Sequence, residues 1–218
     1  MQVDWGRLRR LEPVSRHFGY DRGTPVDRWY IERFLAANSE SIRGRVLEIG
    51  DDTYTRRFGG HRVTRSDTFH AHAGNPGATW VGDLAAADTI PSGIYDCAIV
   101  TQTLQMIPDC LAALRTLRRI LRPNGVLLLT VPGITPVSSE ADEWSKLWNW
   151  SFTPAGVHHM VREVFPNDEN AIEVHGNVFA ATCVLQGIAL EDVIPAELEA
   201  VDAEYTVLIT LRSRKPAG

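Results

Sequence analysis

The feature that most constrains the fold of this chain is an alternation of short apolar segments with helical patterns, which begins near residue 44. Five segments are predicted as strands: residues 45–49, 61–65, 78–81, 95–101 and 126–131. An amphipathic helix is predicted over residues 110–121, with leucines along one stripe and arginines mostly off it. Because helices separate the strands, right-handed crossovers and a parallel sheet follow.

The regions on either side of this pattern continue it. Thr24 is a candidate helix cap, and Pro25 suits the first turn of a helix that carries an apolar stripe. After residue 132, helices are predicted from Thr153 and behind Asn177, and strands over residues 172–175 and 205–212. Since no stretch has the composition of a linker, the sequence predicts one domain over residues 1–218.

Composition and charge exclude several classes of protein. The net charge of −5 over 218 residues argues against a nucleic-acid partner. No signal peptide is expected in the first ten residues, and the longest apolar run, residues 126–131, is too short to cross a membrane. Cys97, Cys110 and Cys183 are widely spaced, which indicates reduced thiols and a cytoplasmic location. The histidines are scattered, so no metal site is expected.

Chemistry-bearing residues follow four of the predicted strands. A parallel sheet binds its ligands at the carboxyl ends of its strands. Gly50 would let the backbone turn tightly beside a ligand, and Asp67 could accept two hydrogen bonds from a ribose diol. Asp83 could accept from an adenine amino group. The candidate cofactor-binding residues at these strand ends are Glu48, Ile49, Gly50, Asp51, Asp67, Thr68, Gly82, Asp83, Leu84, Thr101, Gln102 and Thr103.

This order of motifs resembles the class I S-adenosylmethionine (SAM)-dependent methyltransferases, chiefly those with a methyltransferase-11-like domain. The resemblance covers residues 40–135 and is carried by RVLEIGDD, SD at 66–67, GDL, YDCAIVTQTLQMI and LRPNGVLLLTVPG. The segment FGYDRGTPVDRWYIERFL looks like one found in members encoded near glycosyltransferase genes.

The resemblance implies an α/β, Rossmann-like fold. Its seven-stranded sheet would be mostly parallel with an antiparallel final strand, and helices would cover both faces. SAM would be the cofactor, with its methionine part on the glycine loop, its ribose on Asp67 and its adenine on Asp83. Residues 1–40 would form a helical lid, from which Tyr20 or Tyr30 could face the sulfonium.

The glycine loop departs from the family pattern, because it reads Glu48-Ile49-Gly50-Asp51-Asp52 and lacks the second and third glycines. Asp51 and Asp52 would repel the pyrophosphate of a dinucleotide, which needs close approach of an uncharged backbone. SAM carries a sulfonium and an ammonium and tolerates acidic residues, so the loop favours SAM over NAD. A degenerate loop that binds no cofactor is the alternative.

The predicted activity is methyl transfer to a small molecule, and an oxygen of a sugar or glycosylated natural product is the expected acceptor. Residues 133–160 would form the acceptor side, with Trp144, Trp148 and Trp150 as a stacking wall or as packing residues. The expected catalytic base is Asp142 or His158. Alternatives are methylation of nitrogen and a non-catalytic scaffold. A homodimer is compatible with the sequence, which does not fix the oligomeric state.

Overall fold

The computed structural model describes residue 6, residues 9–137 and residues 147–218. The α-helices within these residues are α1 (Val26–Ala37), α2 (Cys110–Ile120), α3 (Pro154–Val164) and α4 (Val178–Gln186). The strands are β1 (Gly44–Ile49), β2 (Val63–His70), β3 (Trp80–Val81), β4 (Tyr95–Thr101), β5 (Leu121–Pro132), β6 (Glu169–His175) and β7 (Leu208–Arg214). None of the described helices is long and apolar enough to cross a membrane.

The strands form a seven-stranded sheet in the order β3-β2-β1-β4-β5-β7-β6. Strands β1 to β5 run parallel, and β7 pairs antiparallel with both β5 and β6. This arrangement confirms the predicted Rossmann-like sheet with its antiparallel final strand. The strand order reverses between β1 and β4, which opens a crevice at their carboxyl ends.

The helices cover both faces of the sheet. Helices α2 and α3 pack on one face and share a core with Ala98 and Val100 of β4. Helices α1 and α4 pack on the other face, against Cys97 and Ile99 of the same strand. Strand β4 is thus buried on both sides, which explains why its successive residues 97–100 are apolar. Cys97, Cys110 and Cys183 are buried and free.

Several predicted boundaries differ from the structure. Strand β2 extends to His70, well beyond residue 65, because it pairs with β1 as far as Phe69. Thr24 does not cap α1: its amide and hydroxyl both donate to the carboxylate of Glu191. The predicted caps of α3 and α4 are confirmed, since Thr153 and Asn177 each accept a hydrogen bond from a backbone N–H of the first turn.

The segment before α1 is fastened to the end of α4. The amide of Ser15 donates to the carbonyl of Gln186 at 3.0 Å, and Pro25 forms an isolated bridge with Ala189. Gly187, at the C-cap of α4, has φ +63°. A side chain there would press on the backbone oxygen and Cβ of Ser15.

We expect Gly187→Ala to destabilise the protein by more than about 1 kcal/mol, because left-handed strain and a clash with Ser15 combine. For a chain of this length, each kcal/mol shifts the midpoint by roughly 2–4 °C. Thermal unfolding measures the shift. Gly93→Ala is the matched control, because Gly93 has φ +66° but open space beside it. An equal loss in both variants would contradict the proposed contact between Gly187 and Ser15.

Candidate active site

A cavity of about 370 Å³ lies at the carboxyl ends of β1, β2 and β4, and we call it the smaller cavity. It brings together predicted residues from three separate segments of the chain. Its lining residues are Ile49, Gly50, Phe69, His70, Ala71, His72, Gly82, Asp83, Leu84, Thr101, Gln102, Thr103, Met106, Ile107, Pro108 and Leu147.

The glycines of the smaller cavity leave their backbone open to a ligand. Gly50 has φ +93° and Gly82 has φ +150°, values that side chains rarely permit. A Cβ added at either position would meet no protein atom within 4 Å. Asp83 also lines the cavity, and its carboxylate accepts the amide of Ala85 at 2.8 Å, which fixes the turn that carries Leu84.

A second cavity, of about 930 Å³, adjoins the first, and we call it the larger cavity. Gln102 and Met106 line both cavities, so the two meet at the end of β4. Gln102 has φ +47°, an uncommon conformation for a residue with a side chain. The rest of the larger cavity comes from residues between 16 and 28, from residues at and after the end of β5, and from Gln105, Trp148, Val184 and Val207.

Asp67 is not at a strand end, contrary to the prediction. It lies within β2 and is 2% exposed, and its carboxylate accepts hydrogen bonds from Arg45 at 2.6 Å, Arg65 at 2.9 Å and Tyr95 at 3.1 Å. Burial alone would raise the pKa of Asp67, but these three donors outweigh it and lower the pKa below its usual range. A carboxylate engaged in this way binds the strands together and does not line either cavity.

Thr68 also lies inside β2, and its hydroxyl donates to the carbonyl of Gly77 at 2.8 Å. The residue that β2 contributes at its end is His70, which the sequence prediction missed. The error arose because the pattern of β2 is polar along its first half, so its apolar end at Phe69 was not recognised as strand.

The acidic residues of the glycine loop turn towards the loop itself. The buried Glu48 accepts the amides of Tyr54 at 3.1 Å and Thr55 at 2.7 Å. Asp51 accepts the amide of Thr53 at 2.8 Å. These contacts order the loop without the missing glycines. Glu48 and Asp51 do not line the smaller or the larger cavity. Their predicted contact with a cofactor is therefore not supported by the geometry.

The two tyrosines predicted to face the sulfonium, Tyr20 and Tyr30, lie in different surroundings. Tyr20 lines the larger cavity, and its hydroxyl accepts from Arg28 at 3.0 Å. Tyr30 is buried in the interface between α1 and the sheet, where its hydroxyl donates to the carbonyl of Leu198 at 3.1 Å. Tyr30 is therefore a packing residue and does not reach either cavity.

Three described residues of the predicted acceptor side, Ile134, Thr135 and Trp148, line the larger cavity. Trp148 lines the larger cavity and stacks on Phe18, with ring centroids 6.1 Å apart and planes 10° apart. Trp150 instead donates to the carbonyl of Ile107 at 2.9 Å and is exposed. His158 is exposed on α3 and lines neither cavity, so its predicted role as the base is not supported. Asp142 and Trp144 lie outside the described residues.

Comparisons with known proteins agree with this architecture. A family model described as a methyltransferase domain matches residues 28–166. Among solved structures, a SAM-dependent methyltransferase from Mesorhizobium loti is 13% identical, with a TM-score of 0.58 over 83% of this chain and 95% of that one. The [4+2]-cyclase SpnF is 16% identical, with a TM-score of 0.57 over 90% of this chain and 84% of that one. A search of curated proteins finds no match.

The chain shares its fold with a solved SAM-dependent methyltransferase. The family model covers well over half of the chain, so this chain belongs to the methyltransferase domain family. The walls of the smaller cavity are suited to a flat apolar ring. Phe69, Leu84 and Ile107 offer apolar surface to a flat ring, and the two open glycines admit close approach.

We expect Asp67→Asn to lower the free energy of unfolding by about 1.5–3 kcal/mol, because buried charge-assisted hydrogen bonds are lost. Affinity for S-adenosylhomocysteine should not change.

The stabilisation by Asp67 should also depend on pH. Because folding lowers the pKa of Asp67, the stabilisation is complete above the ordinary pKa of an aspartate, about 3.9, and is lost as the pH falls further. Urea unfolding at about pH 7 and about pH 3 should show parent and variant converging in acid. A variant as stable as the parent, but weaker in binding, would restore the ribose role.

A second pH effect is expected from Glu48, whose pKa burial raises to about 7 although backbone amides oppose the shift. The favourable contribution of the neutral form is complete below about pH 4.5 and is lost as the pH rises to about 7. The unfolding midpoint of the parent should therefore fall relative to that of Glu48→Gln as the pH rises across this window. A constant difference would show that Glu48 stays ionised throughout.

Proposed function

We propose that this methyltransferase transfers the methyl group of SAM to a hydroxyl oxygen of a small molecule, namely a sugar or a glycosylated natural product. The observation that carries the proposal is the junction of two cavities at Gln102 and Met106. The smaller cavity fits the adenosyl part, and the larger one, of about 930 Å³, has the volume of a small-molecule site. SAM supplies an already activated methyl group, so the protein mainly has to align the acceptor.

The lining of the larger cavity supports a sugar as acceptor. The stacked pair of Phe18 and Trp148 presents flat apolar surface of the kind that packs against sugar rings. Asp21 and the amide of Gln105 add polar groups beside it.

An alcohol acceptor must lose a proton as the new bond forms. Among the described residues of the larger cavity, His17, Asp21 and Asp27 have side chains that can accept it. Asp142, the candidate base from the sequence, lies outside the described residues and stays a prediction. Residues 16–28 form much of the cavity wall, which supports the proposed N-terminal lid.

Methylation of nitrogen is the second candidate. The carboxylates of Asp21 and Asp27 in the larger cavity would attract a cationic amine. A solved structure from Thermotoga maritima, described as a possible histamine N-methyltransferase, is 16% identical with a TM-score of 0.51 over 93% of this chain and 98% of that one.

We further propose a cytoplasmic location, which the three free, buried cysteines support.

The test is a mass-spectrometric methylation assay with SAM and a panel of sugars, aryl glycosides, phenols and primary amines. We expect a product with a methylated oxygen. Trp148→Ala should lower kcat/KM for that acceptor by about tenfold or more through lost stacking, whereas Trp148→Phe should retain most of it. Methylation of amines alone would favour the second candidate.

Thermal unfolding gives an acceptor-independent check. S-adenosylhomocysteine should raise the midpoint, and NAD should not, because only a ligand of the native state stabilises it. An equal rise with NAD would contradict the cofactor assignment. A rise with S-adenosylhomocysteine, combined with no transfer to any panel member, would favour the non-catalytic scaffold.

A further inference from the structure

Two neighbouring residues of opposite charge, Asp27 and Arg28, lie at the wall of the larger cavity beside its junction with the smaller one. They occupy the first turn of α1, where the helix N-terminus stabilises a carboxylate. The carboxylate of Asp27 and the Nε of Arg28 are 3.8 Å apart, and each side chain is 22% exposed. Both charges therefore remain accessible from the cavity.

Asp27 is connected to the end of β4. Its Oδ2 accepts from the Nε2 of Gln102 at 3.4 Å, and the Oε1 of Gln102 accepts from Gln105 at 3.4 Å. Gln102 is a residue that both cavities share, so the carboxylate of Asp27 lies next to the wall that they have in common.

Arg28 is connected to the loop that follows β1. Its Nη1 donates to the hydroxyl of Tyr54 at 3.4 Å, and its Nε donates to the hydroxyl of Tyr20 at 3.0 Å. Burial alone would lower the pKa of Arg28, but Asp27 and the two tyrosines reverse this and raise it, so the guanidinium stays charged. The pair thus extends from the β1 loop to the end of β4, across the crevice where the strand order reverses.

The other carboxylates near the β1 loop are committed elsewhere. Glu48 and Asp51 accept backbone amides of the loop, and Asp52 pairs with Arg56 at 2.7 Å. Asp83 lines the smaller cavity just after the end of β3, whereas Asp27 lines the larger cavity. Of the carboxylates in the larger cavity, Asp27 is the one hydrogen-bonded to Gln102.

We propose that Asp27 and Arg28 together bind the α-amino-acid end of SAM. The carboxylate of the ligand pairs with the guanidinium of Arg28, and its ammonium faces Asp27. These two ligand charges sit on one carbon, and the two protein charges are adjacent, so the zwitterion matches the pair in sign and spacing. The proposal rests on SAM as cofactor and does not depend on the identity of the acceptor.

Calorimetric titration with two ligands tests the assignment. S-adenosylhomocysteine contains the α-amino-acid end, whereas 5′-methylthioadenosine has the same adenosine and sulfur without it. In Arg28→Gln and Asp27→Asn, affinity for S-adenosylhomocysteine should fall about ten- to hundredfold, as for a lost charge-assisted hydrogen bond. Affinity for 5′-methylthioadenosine should stay at the parent's value. Arg33→Gln is the matched control, since Arg33 lies on the same helix and is 63% exposed.

Three results would overturn the proposal. Unchanged affinity for S-adenosylhomocysteine in both variants would show that the pair does not face the amino-acid end. Equal losses for both ligands, with a lower unfolding midpoint in the absence of ligand, would show that the pair only holds α1 against the loop. A parent protein that binds neither ligand would remove the cofactor itself, and this outcome is distinguishable because it needs no variant.

Discussion

The parallel pairing of β1 with β4 is the constraint on which the site depends. It places Glu48 beside Ile99 and brings the loop after Ile49 next to the turn after Thr101. Those segments are distant in the chain, and they meet because β4 is apolar enough to be buried between two helical layers. Helix α1 then covers the crevice from the face that it shares with α4.

The loop after β1 shows how the chain compensates for a reduced number of glycines. A glycine-rich loop needs little support, because its backbone turns freely. Here Glu48 and Asp51 accept backbone amides, and the rings of Tyr54 and Phe58 pack with centroids 6.0 Å apart. The loop carboxylates are consequently used for structure. In the proposed binding mode, the charges that face a ligand come instead from α1, outside the glycine loop.

The sequence predicts the strands of the sheet better than it predicts the side-chain hydrogen bonds between them. The bounds of Tyr95–Thr101 are predicted correctly because the strand is mostly apolar and rich in branched residues. Gly50 is predicted because a sharp turn after a strand favours glycine, and Gly82 because it belongs to the GDL motif. Asp67 was misplaced because an acidic residue near a strand end has the same local signal whether it meets a ribose or an arginine. Its partners Arg45 and Tyr95 are 22 and 28 residues away.

Residues that act across the chain were the hardest to predict. The adjacent charges of Asp27 and Arg28 were visible, but nothing local links them to Gln102 or Tyr54. His158 was a reasonable base by chemistry, yet α3 lies on the far face of the sheet from α1, and the cavity walls come from the α1 side and the strand ends. Tertiary packing decides such cases, and a single sequence does not encode it in any short pattern.

The most direct test of the account is a crystal structure of the protein with S-adenosylhomocysteine. We predict that the adenine lies beside Leu84 and Phe69 in the smaller cavity, that the sulfur lies near Gln102, and that the amino-acid end meets Asp27 and Arg28. A ligand bound with its ribose on Asp67, or with its amino-acid end away from α1, would contradict the account.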